Sequence, residues 1–340
     1  MKPLATPSSL PTLLDALDAA LAPGGVSALD PAVPPALWQR ALAGPAAEFL
    51  GRPGKELRTT IVRTGWMLGG GAAAAMPERL PLLIELLHAG SLIIDDVEDD
   101  SDERRGAPTL HRLVGVPLAI NTGSWMYFWA LAQVAELGLP PAVELAAQRA
   151  TLATLVRCHQ GQALDLATRI GELELHDVPA VVAATTRLKT GALCRLAAEL
   201  GAIAAGAAPA RRAAVADFGE AMGVALQMLD DLGSLTSRSR RDKGHEDLRN
   251  GRPTWPWAWL AEAGPFAWAR LAAMERAVAA GDGDVEALAD ALVEAVGDTG
   301  RRQVRAALDE AIAGLTRAVG AGPVIDAIAA ELRRMEASYG

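Results

Sequence analysis

Apolar residues recur along this chain at intervals of three and four, and this spacing constrains the fold more than any other feature. The clearest case is the run from Leu82 to Val97, where apolar or small residues fall at i, i+3, i+4 and i+7. The segments 141–170 and 178–205 follow the same period, and no segment alternates convincingly between apolar and polar residues. We therefore expect an all-α protein.

The composition supports a helical fold with a large core. Of the 340 residues, 51% are apolar but only 4% are aromatic, and alanine and leucine, which are strong helix formers, are abundant. Glycine and proline interrupt the pattern at 51–54, 69–71, 106–108, 138–141, 251–256 and 281–283. Because no long linker divides the chain, we predict a single all-α domain over residues 1–340, with residues 1–30 as an N-terminal lead-in helix.

Charge and cysteine content argue against several classes of protein. The net charge of −9 argues against a nucleic-acid partner. Pro, His, Asp or Gly breaks every apolar run before the ~18 residues that a membrane span requires, so we expect no membrane span. The N-terminal segment lacks the basic and then apolar pattern of a signal peptide. Cys158 and Cys194 lack a metal-ligand spacing, so we expect a reduced, cytoplasmic protein.

The first of two acidic clusters ends the apolar run described above. On a helix Asp95 and Asp99 lie one turn apart and project from one face, with Asp96 beside them. Carboxylates are costly to bury unless they are paired or bind metal, and Mg²⁺ commonly bridges carboxylates to substrate phosphates. Arg104 and Arg105 follow, and guanidinium groups bind phosphate oxygens. We expect the helix to continue to the glycine after these arginines, and the cluster to bind magnesium and a diphosphate.

A second acidic cluster ends another apolar run. It contains Asp230 and Asp231, and Ser234 lies one turn after the first of these. We interpret the basic stretch that follows as a loop. Its cations are Arg238, Arg240, Arg241 and Lys243. Beside a second carboxylate pair, this stretch is a candidate lid over a phosphate.

These motifs together resemble the trans-type isoprenyl diphosphate synthases of the polyprenyl synthetase family. The resemblance runs from Gly51 to Trp257, and its motifs occur in the family's order. They are 53–58 (the family's GGKxxR), 85–99 (ELxH and DDxxD), 104–106, 161–166 (GQxxDL), 189–190 (KT), 227–231 (FQxxDD) and 243–254 (GK, D and GKxT).

The resemblance implies an antiparallel helix bundle around a central cavity, with the two aspartate motifs facing each other across its mouth, and a homodimer. It implies a magnesium-dependent prenyltransferase that uses three metal ions. The enzyme would condense isopentenyl diphosphate with an allylic diphosphate into a short trans-prenyl diphosphate, either farnesyl or geranylgeranyl diphosphate. Gly90 and Ser91 are small residues shortly before the first aspartate, where small residues in the family leave room for longer products.

The resemblance also assigns roles to individual side chains. The metal ligands would be Asp95, Asp96, Asp99, Asp165 and Asp230. Arg104, Lys189 and Lys243 would hold the allylic diphosphate. Lys55, Arg58, His88 and Arg105 would hold isopentenyl diphosphate. Thr190, Gln227 and Arg252 would contact substrate, and the catalytic set is Asp95, Asp96, Asp99, Lys189, Asp230 and Lys243.

We expect a functional role for His88, because it lies on the same predicted helix as the first aspartates. We expect no such role for the remaining histidines. We expect the others at the surface or at helix caps. They are His111, His159, His176 and His245.

Ser234 departs from the family pattern, because an aspartate is expected there. Class I terpene cyclases share the fold and bind metal through Asn or Asp, Ser or Thr, and Glu spaced by four; Asp230 and Ser234 match the first two positions, but Arg238 stands at the third. A cyclase that acts on one allylic diphosphate is therefore an alternative, and a non-catalytic subunit of a heteromeric prenyl synthase is another. The candidate second diphosphate site favours chain elongation. We expect Ser234→Asp to strengthen the magnesium site.

Overall fold

A computed structural model describes residues 12–53, 57–237 and 240–339, with side chains up to residue 336. The α-helices are α1 (Leu13–Leu21), α2 (Pro35–Trp38), α3 (Gly44–Leu50), α4 (Leu57–Leu68), α5 (Leu80–Glu98), α6 (Leu110–Val114), α7 (Val116–Ala135), α8 (Pro141–Ala167), α9 (Val178–Thr186), α10 (Ala192–Ala204), α11 (Pro209–Thr236), α12 (Arg241–Arg249), α13 (Trp255–Ala263), α14 (Pro265–Ala279), α15 (Val285–Val319) and α16 (Pro323–Tyr339). The prediction of an all-α fold is confirmed.

Short elements of other types connect these helices. Gln39–Ala43 and Arg187–Gly191 form π-helical turns, and Ala73–Ala75 and Ile170–Glu172 form 3₁₀ turns. Strands β1 (Glu103–Arg104) and β2 (Ala107–Pro108) pair antiparallel. Within the described part of the chain, no helix is both long enough and apolar enough to cross a membrane.

The chain divides into two compact units. The first comprises Met1–Thr151 and Leu200–Ala207, and the second comprises Leu152–Glu199 and Ala208–Gly340. The assignment of residues 1–340 to one domain stays a prediction.

In the first unit α5 is the central helix and packs against α7 and α4. Its buried stripe includes Leu83, Leu86 and Ile93, none of which is exposed to solvent. The helices α5 and α7 cross at two glycines: a Cβ atom on Gly90 would lie 2.7 Å from the carbonyl oxygen of Gly123. This close approach fixes α5, and with it the acidic residues at its end, against the core.

Within the predicted lead-in over residues 1–30, Leu13–Leu21 form helix α1, and residues 1–11 lie outside the described residues. It begins with a capping box, in which the Asp15 amide donates to Thr12 Oγ1 at 3.1 Å and the Thr12 amide donates to Asp15 Oδ2 at 3.0 Å. Because this reciprocal pair satisfies two backbone donors at the start of a helix, the short helix has a well-defined beginning.

In the second unit α11 and α15 form the largest helix contact, and α13 packs against both α15 and α9. The core is built around Trp257 and Trp259, which are at most 1% exposed. The indole rings of Trp257 and Trp268 meet edge to face, with centroids 5.8 Å apart. Since α11 carries the second acidic cluster near its end, this core positions that cluster.

Two predicted element boundaries are wrong. The helix that carries the first acidic cluster ends at Glu98, well before the arginines, because Asp100 and Arg105 take left-handed backbone conformations (φ +53° and +57°) and turn the chain into the β1–β2 hairpin. Of the basic stretch predicted as a loop, the part from Arg241 onward forms helix α12, whereas Arg238 lies outside the described residues. Asp242 in its first turn and Arg249 in its last turn both complement the helix dipole.

Candidate active site

The first acidic cluster occupies the C-terminal end of α5. Asp95 and Asp99 are partly exposed, whereas Asp96 is fully buried. The last turn of the helix contains no basic residue. Carboxylates at the negative end of a helix dipole are destabilising unless a cation compensates them. A cation near this end of α5 would therefore stabilise the cluster.

Asp96 and Arg104 form a buried ion pair beneath this surface. Arg104 Nε donates to Asp96 Oδ1 at 2.7 Å, and Nη2 of the same guanidinium also contacts this oxygen. Arg104 lies 3.7 Å from Asp95 Oδ2 as well. Burial raises the pKa of Asp96, and the Arg104 guanidinium opposes that rise. Arg104 thus links both aspartates to the hairpin.

The residues at this helix end fit magnesium. They offer carboxylate oxygens, which are the ligands that Mg²⁺ prefers, and Asp96 Oδ2 is buried without a hydrogen-bond partner. Among the described residues, no group of three or more histidine, cysteine, aspartate or glutamate side chains is placed to hold a metal ion. Mg²⁺ usually keeps waters and shares its coordination with substrate phosphates, so an ion at this helix end would depend on the substrate for part of its ligands.

A second group of polar side chains surrounds His88, two turns before the aspartates on α5. Burial and the guanidinium groups of Arg58, Arg105 and Arg104 hold the pKa of His88 well below its ordinary value of 6.5. The imidazole is therefore neutral at neutral pH. Burial raises the pKa of Glu85, although Arg58 and a hydrogen bond from Thr59 Oγ1 at 3.2 Å oppose that rise.

Arg105 belongs to the same group. The residue as a whole is exposed, but partial burial of its guanidinium group and the neighbouring Arg58 lower its pKa, while Glu85 raises it. Several cations in a partly desolvated space repel one another, and an incoming anion relieves that repulsion. The surroundings of His88 therefore suit a phosphate group. Lys55, which the sequence predicts here, lies outside the described residues.

In the second unit Asp231 is a partly buried residue with structural contacts. It accepts hydrogen bonds from Gln227 Nε2 at 2.7 Å and from the backbone amide of Trp255 at 3.0 Å. Gln227 Oε1 in turn accepts a hydrogen bond from Thr190 Oγ1 at 2.7 Å. Burial raises the pKa of Asp231 to about 7. This chain of hydrogen bonds fixes the side chains of Thr190 and Gln227, both of which the sequence predicts to contact substrate.

The side chain of Asp230 has different neighbours from that of Asp231, and these neighbours are cations. Its carboxylate is 3.6 Å from Arg240 Nη1 and 3.9 Å from Lys243 Nζ. Lys243 is mostly exposed and Asp230 is about one-third exposed. The predicted metal ligand and the predicted diphosphate-binding lysine are therefore neighbours.

Asp165 and Lys189 are likewise a predicted metal ligand and a predicted diphosphate-binding lysine that lie side by side. Lys189 Nζ donates to Asp165 Oδ2 at 2.6 Å, and Arg252 Nη1 donates to the backbone oxygen of Asp165 at 2.6 Å. Arg252 is only 8% exposed. Its observed contact is therefore with the backbone of the predicted metal ligand, and its predicted contact with substrate remains untested.

Ser234 is covered by helix α12. It is 6% exposed, and its hydroxyl donates to the backbone oxygen of Asp231 at 2.7 Å. A Cβ atom on Gly244 of α12 would lie 2.5 Å from the backbone oxygen of Ser234. Ser234 therefore takes part in helix packing, and the expectation that an aspartate here would strengthen a metal site stays a prediction. The same contact counts against a cyclase-type metal triad.

The prediction for His111 is wrong. This residue is buried, because the short helix α6 packs against α5 and α7, and its Nε2 lies 3.7 Å from Asp100 Oδ1. His159 and His176 are exposed, as predicted, and His245 is partly exposed. Sequence reasoning gave Glu85 no role of its own, although Glu85 is the first residue of the ELxH motif, and it missed the structural role of Asp231.

Comparisons with known proteins identify the family. The polyprenyl synthetase family model matches residues 39–292, a range that contains every predicted site residue. Geranylgeranyl pyrophosphate synthase 2 of Zymoseptoria tritici is 31% identical over 231 residues, which are 67% of this chain and 66% of that protein. Geranylfarnesyl diphosphate synthase of Aeropyrum pernix is 34% identical over 220 residues, 63% of this chain and 68% of that protein.

The matched region thus spans about two thirds of the length of these relatives. A solved polyprenyl synthetase from Streptomyces coelicolor A3(2) has the same fold, with a TM-score of 0.77 over 95% of each chain at 23% sequence identity. The family model covers most of the chain and contains both acidic clusters and the residues around His88. On these grounds the chain belongs to the polyprenyl synthetase family.

Proposed function

We propose that this chain is a magnesium-dependent trans-prenyltransferase. It would join isopentenyl diphosphate to an allylic diphosphate by 1′-4 chain elongation and release a short trans-prenyl diphosphate. Family membership and relatives named as geranylgeranyl and geranylfarnesyl diphosphate synthases support this proposal.

The main support for the proposal is a second group of cationic side chains, which is separate from the cation beside the aspartates. Arg104 is bound to Asp96, whereas Arg58 and Arg105 lie around the neutral His88. A cyclase binds one diphosphate, and cations beside the acidic residues suffice for it. An elongating enzyme binds two diphosphates and therefore needs a second group of this kind.

In the proposed mechanism Arg104, Lys189 and Lys243 hold the allylic diphosphate. As the bond between its carbon and oxygen breaks, negative charge grows on the leaving group, and fixed cationic side chains stabilise that charge. Magnesium, held by Asp95, Asp96, Asp99, Asp165 and Asp230, would supply further positive charge to the same group.

Arg58, His88 and Arg105 orient isopentenyl diphosphate. The terminal carbon C4 of this substrate's double bond attacks the allylic carbocation, which moves the positive charge to the tertiary carbon C3, and loss of a proton from C2 then forms the new double bond. A neutral imidazole can donate one hydrogen bond to a diphosphate oxygen without taking up a proton. The apolar residues of α5 that precede this group help to keep water away from the cation.

We propose farnesyl or geranylgeranyl diphosphate as the product. The small size of Gly90 does not help to choose between them, because the close contact with Gly123 of α7 already requires a glycine. Ser91 has a local contact of its own, donating from Oγ to the backbone oxygen of His88 at 2.9 Å. On α7 the indole rings of Trp125 and Trp129 stack with their centroids 4.9 Å apart.

We further propose that the enzyme is a homodimer in the cytoplasm. Support for the dimer comes from apolar side chains of α6 and α7 that are 43–70% exposed, since large exposed apolar areas mark interaction surfaces. They are Leu113, Val116, Ile120 and Phe128. Sedimentation of the wild type and of Phe128→Asp tests the dimer, and cell fractionation tests the location.

A product assay tests the central proposal. Purified protein receives magnesium, labelled isopentenyl diphosphate and dimethylallyl, geranyl or farnesyl diphosphate in turn, with allylic substrate alone as a control. We expect label in longer, acid-labile diphosphates. A hydrocarbon or alcohol formed from the allylic substrate alone would establish a cyclase instead. Activity only after addition of another prenyl synthase chain would establish a subunit of a heteromeric enzyme.

A further inference from the structure

Arg52 follows helix α3 and makes contacts that the family motifs do not predict. The side chain is 8% exposed. Its Nε donates to Glu48 Oε1 at 3.1 Å, and Nη2 contacts both oxygens of the same carboxylate at 2.8 and 2.9 Å. The guanidinium carbon lies 5.4 Å from the centre of the Phe49 ring. A glutamate and an aromatic ring of α3 therefore fix the orientation of the guanidinium group.

The same guanidinium group binds both strands of the β1–β2 hairpin. Nη1 donates to the backbone oxygen of Arg104 at 3.0 Å, and Nη2 donates to the backbone oxygen of Pro108 at 2.6 Å. All three nitrogens thus contact protein acceptors, and Glu48 compensates the charge. Arg52 is consequently a structural support of the hairpin and does not bind a phosphate.

The hydrogen bond from Arg52 to the Arg104 carbonyl lies next to a residue with a left-handed backbone conformation. The carbonyl group that Arg52 binds belongs to the peptide bond before Arg105, and Arg105 has a φ angle of +57°. Residues with a Cβ atom seldom adopt this left-handed conformation. Holding the preceding peptide group in place favours it, and the conformation decides where the Arg105 side chain points.

The guanidinium groups of Arg105 and Arg52 also lie near the same aromatic ring, that of Phe49. The guanidinium carbon of Arg105 lies 6.0 Å from the centre of the Phe49 ring, which also contacts Arg52. Arg104 differs, because Asp96 holds its guanidinium group directly. A change at Arg52 should therefore displace Arg105 more than Arg104.

We propose that Arg52 is a positioning residue for isopentenyl diphosphate: it holds the hairpin in the conformation that presents Arg105 to that substrate. The proposal rests on the proposed function in one respect, namely that Arg105 binds a diphosphate group. Arg52 itself touches neither substrate.

The test uses Arg52→Met and Arg52→Lys in the full chain. We expect the KM for isopentenyl diphosphate to rise about tenfold or more, as misplacement of a substrate-positioning group does, with a rise below about threefold for the allylic substrate. Lysine should not restore the lower KM, because an ammonium group cannot reach a carboxylate and two carbonyls with the fork that Arg52 uses.

Arg112→Met is the matched control. Arg112 donates to the backbone oxygen of Asp100 at 3.2 Å and pairs with Asp102 at 3.0 Å, so it supports the preceding turn but not the hairpin. This variant should leave both KM values unchanged. Thermal unfolding of all variants shows whether a loss of stability accompanies the change in KM.

A double-mutant cycle with Arg105→Met tests the pathway of the effect. If Arg52 acts through Arg105, the rise in KM caused by Arg52→Met should largely disappear in the Arg105→Met background. An undiminished rise there, rescue by lysine, or an equal rise for both substrates would overturn the proposal.

Titration of inorganic pyrophosphate into the wild type and Arg52→Met separates this proposal from the proposed function. Weaker binding to the variant supports the positioning role even if the wild type incorporates no isopentenyl diphosphate. Equal binding by the two proteins overturns the role of Arg52, whatever the product assay shows.

Discussion

Replacing Gly244 with alanine tests whether the contact between α11 and α12 positions Asp230 and Lys243. In an ordinary helix interior, glycine to alanine stabilises a protein by about 1 kcal/mol. At Gly244 the added Cβ atom would lie 2.5 Å from the backbone oxygen and 2.9 Å from the backbone carbon of Ser234. Because both are backbone atoms, a side-chain rotation cannot relieve the overlap.

The helix α12 must therefore shift away from α11. Overpacking of this kind costs about 1–3 kcal/mol, which cancels or exceeds the gain in helix propensity. The shift would also move Lys243, now 3.9 Å from Asp230. We expect Gly244→Ala to lower or leave unchanged the free energy of unfolding and to raise the KM for the allylic diphosphate.

Gly314→Ala is the matched control, since it lies inside α15. The nearest atom to its added Cβ would be the flexible Arg317 Nη2 at 3.7 Å. This variant should gain about 1 kcal/mol in urea unfolding and keep its KM values. Equal stabilisation of the two variants, with equal KM values, would show that the packing of Gly244 on Ser234 does not matter for the site.

The remaining predictions concern the first unit. Asp95→Ala should reduce kcat at least a hundredfold with little change in melting temperature, because it removes a proposed metal ligand from a partly exposed helix end; more than a few per cent residual activity would contradict the assignment. The pKa of His88 lies well below 6.5 in the folded protein, so the unfolded chain binds a proton first as the pH falls. Stability should therefore decrease below about pH 6.5, by up to about 1.4 kcal/mol per pH unit, and denaturant unfolding of His88→Gln should show a flatter decline. Gly90→Ala should destabilise the protein by about 1–3 kcal/mol in urea unfolding, because its Cβ would meet the backbone of α7; unchanged stability would mean that the crossing is looser than the structure shows.

The sequence by itself determined the helical fold and the identity of the acidic clusters. Side chains three and four residues apart meet on one face of a helix, so the spacing of Leu83, Leu86 and Ile93 already contains the information for α5. The same rule placed Asp95 and Asp99 on one face. These are local properties, because each depends on backbone geometry within two or three turns.

Only the tertiary structure decided the environment of each functional side chain. Arg52 and Arg104 are 52 residues apart in sequence, and no local pattern indicates their contact. The burial of Ser234 beneath Gly244 likewise depends on how α12 packs. Burial, ion pairing and pKa values arise from atoms that chain folding brings together, whereas helical periodicity arises from neighbours along the chain. For this reason the helices and motifs could be predicted, while the supports that hold the motifs in place could not.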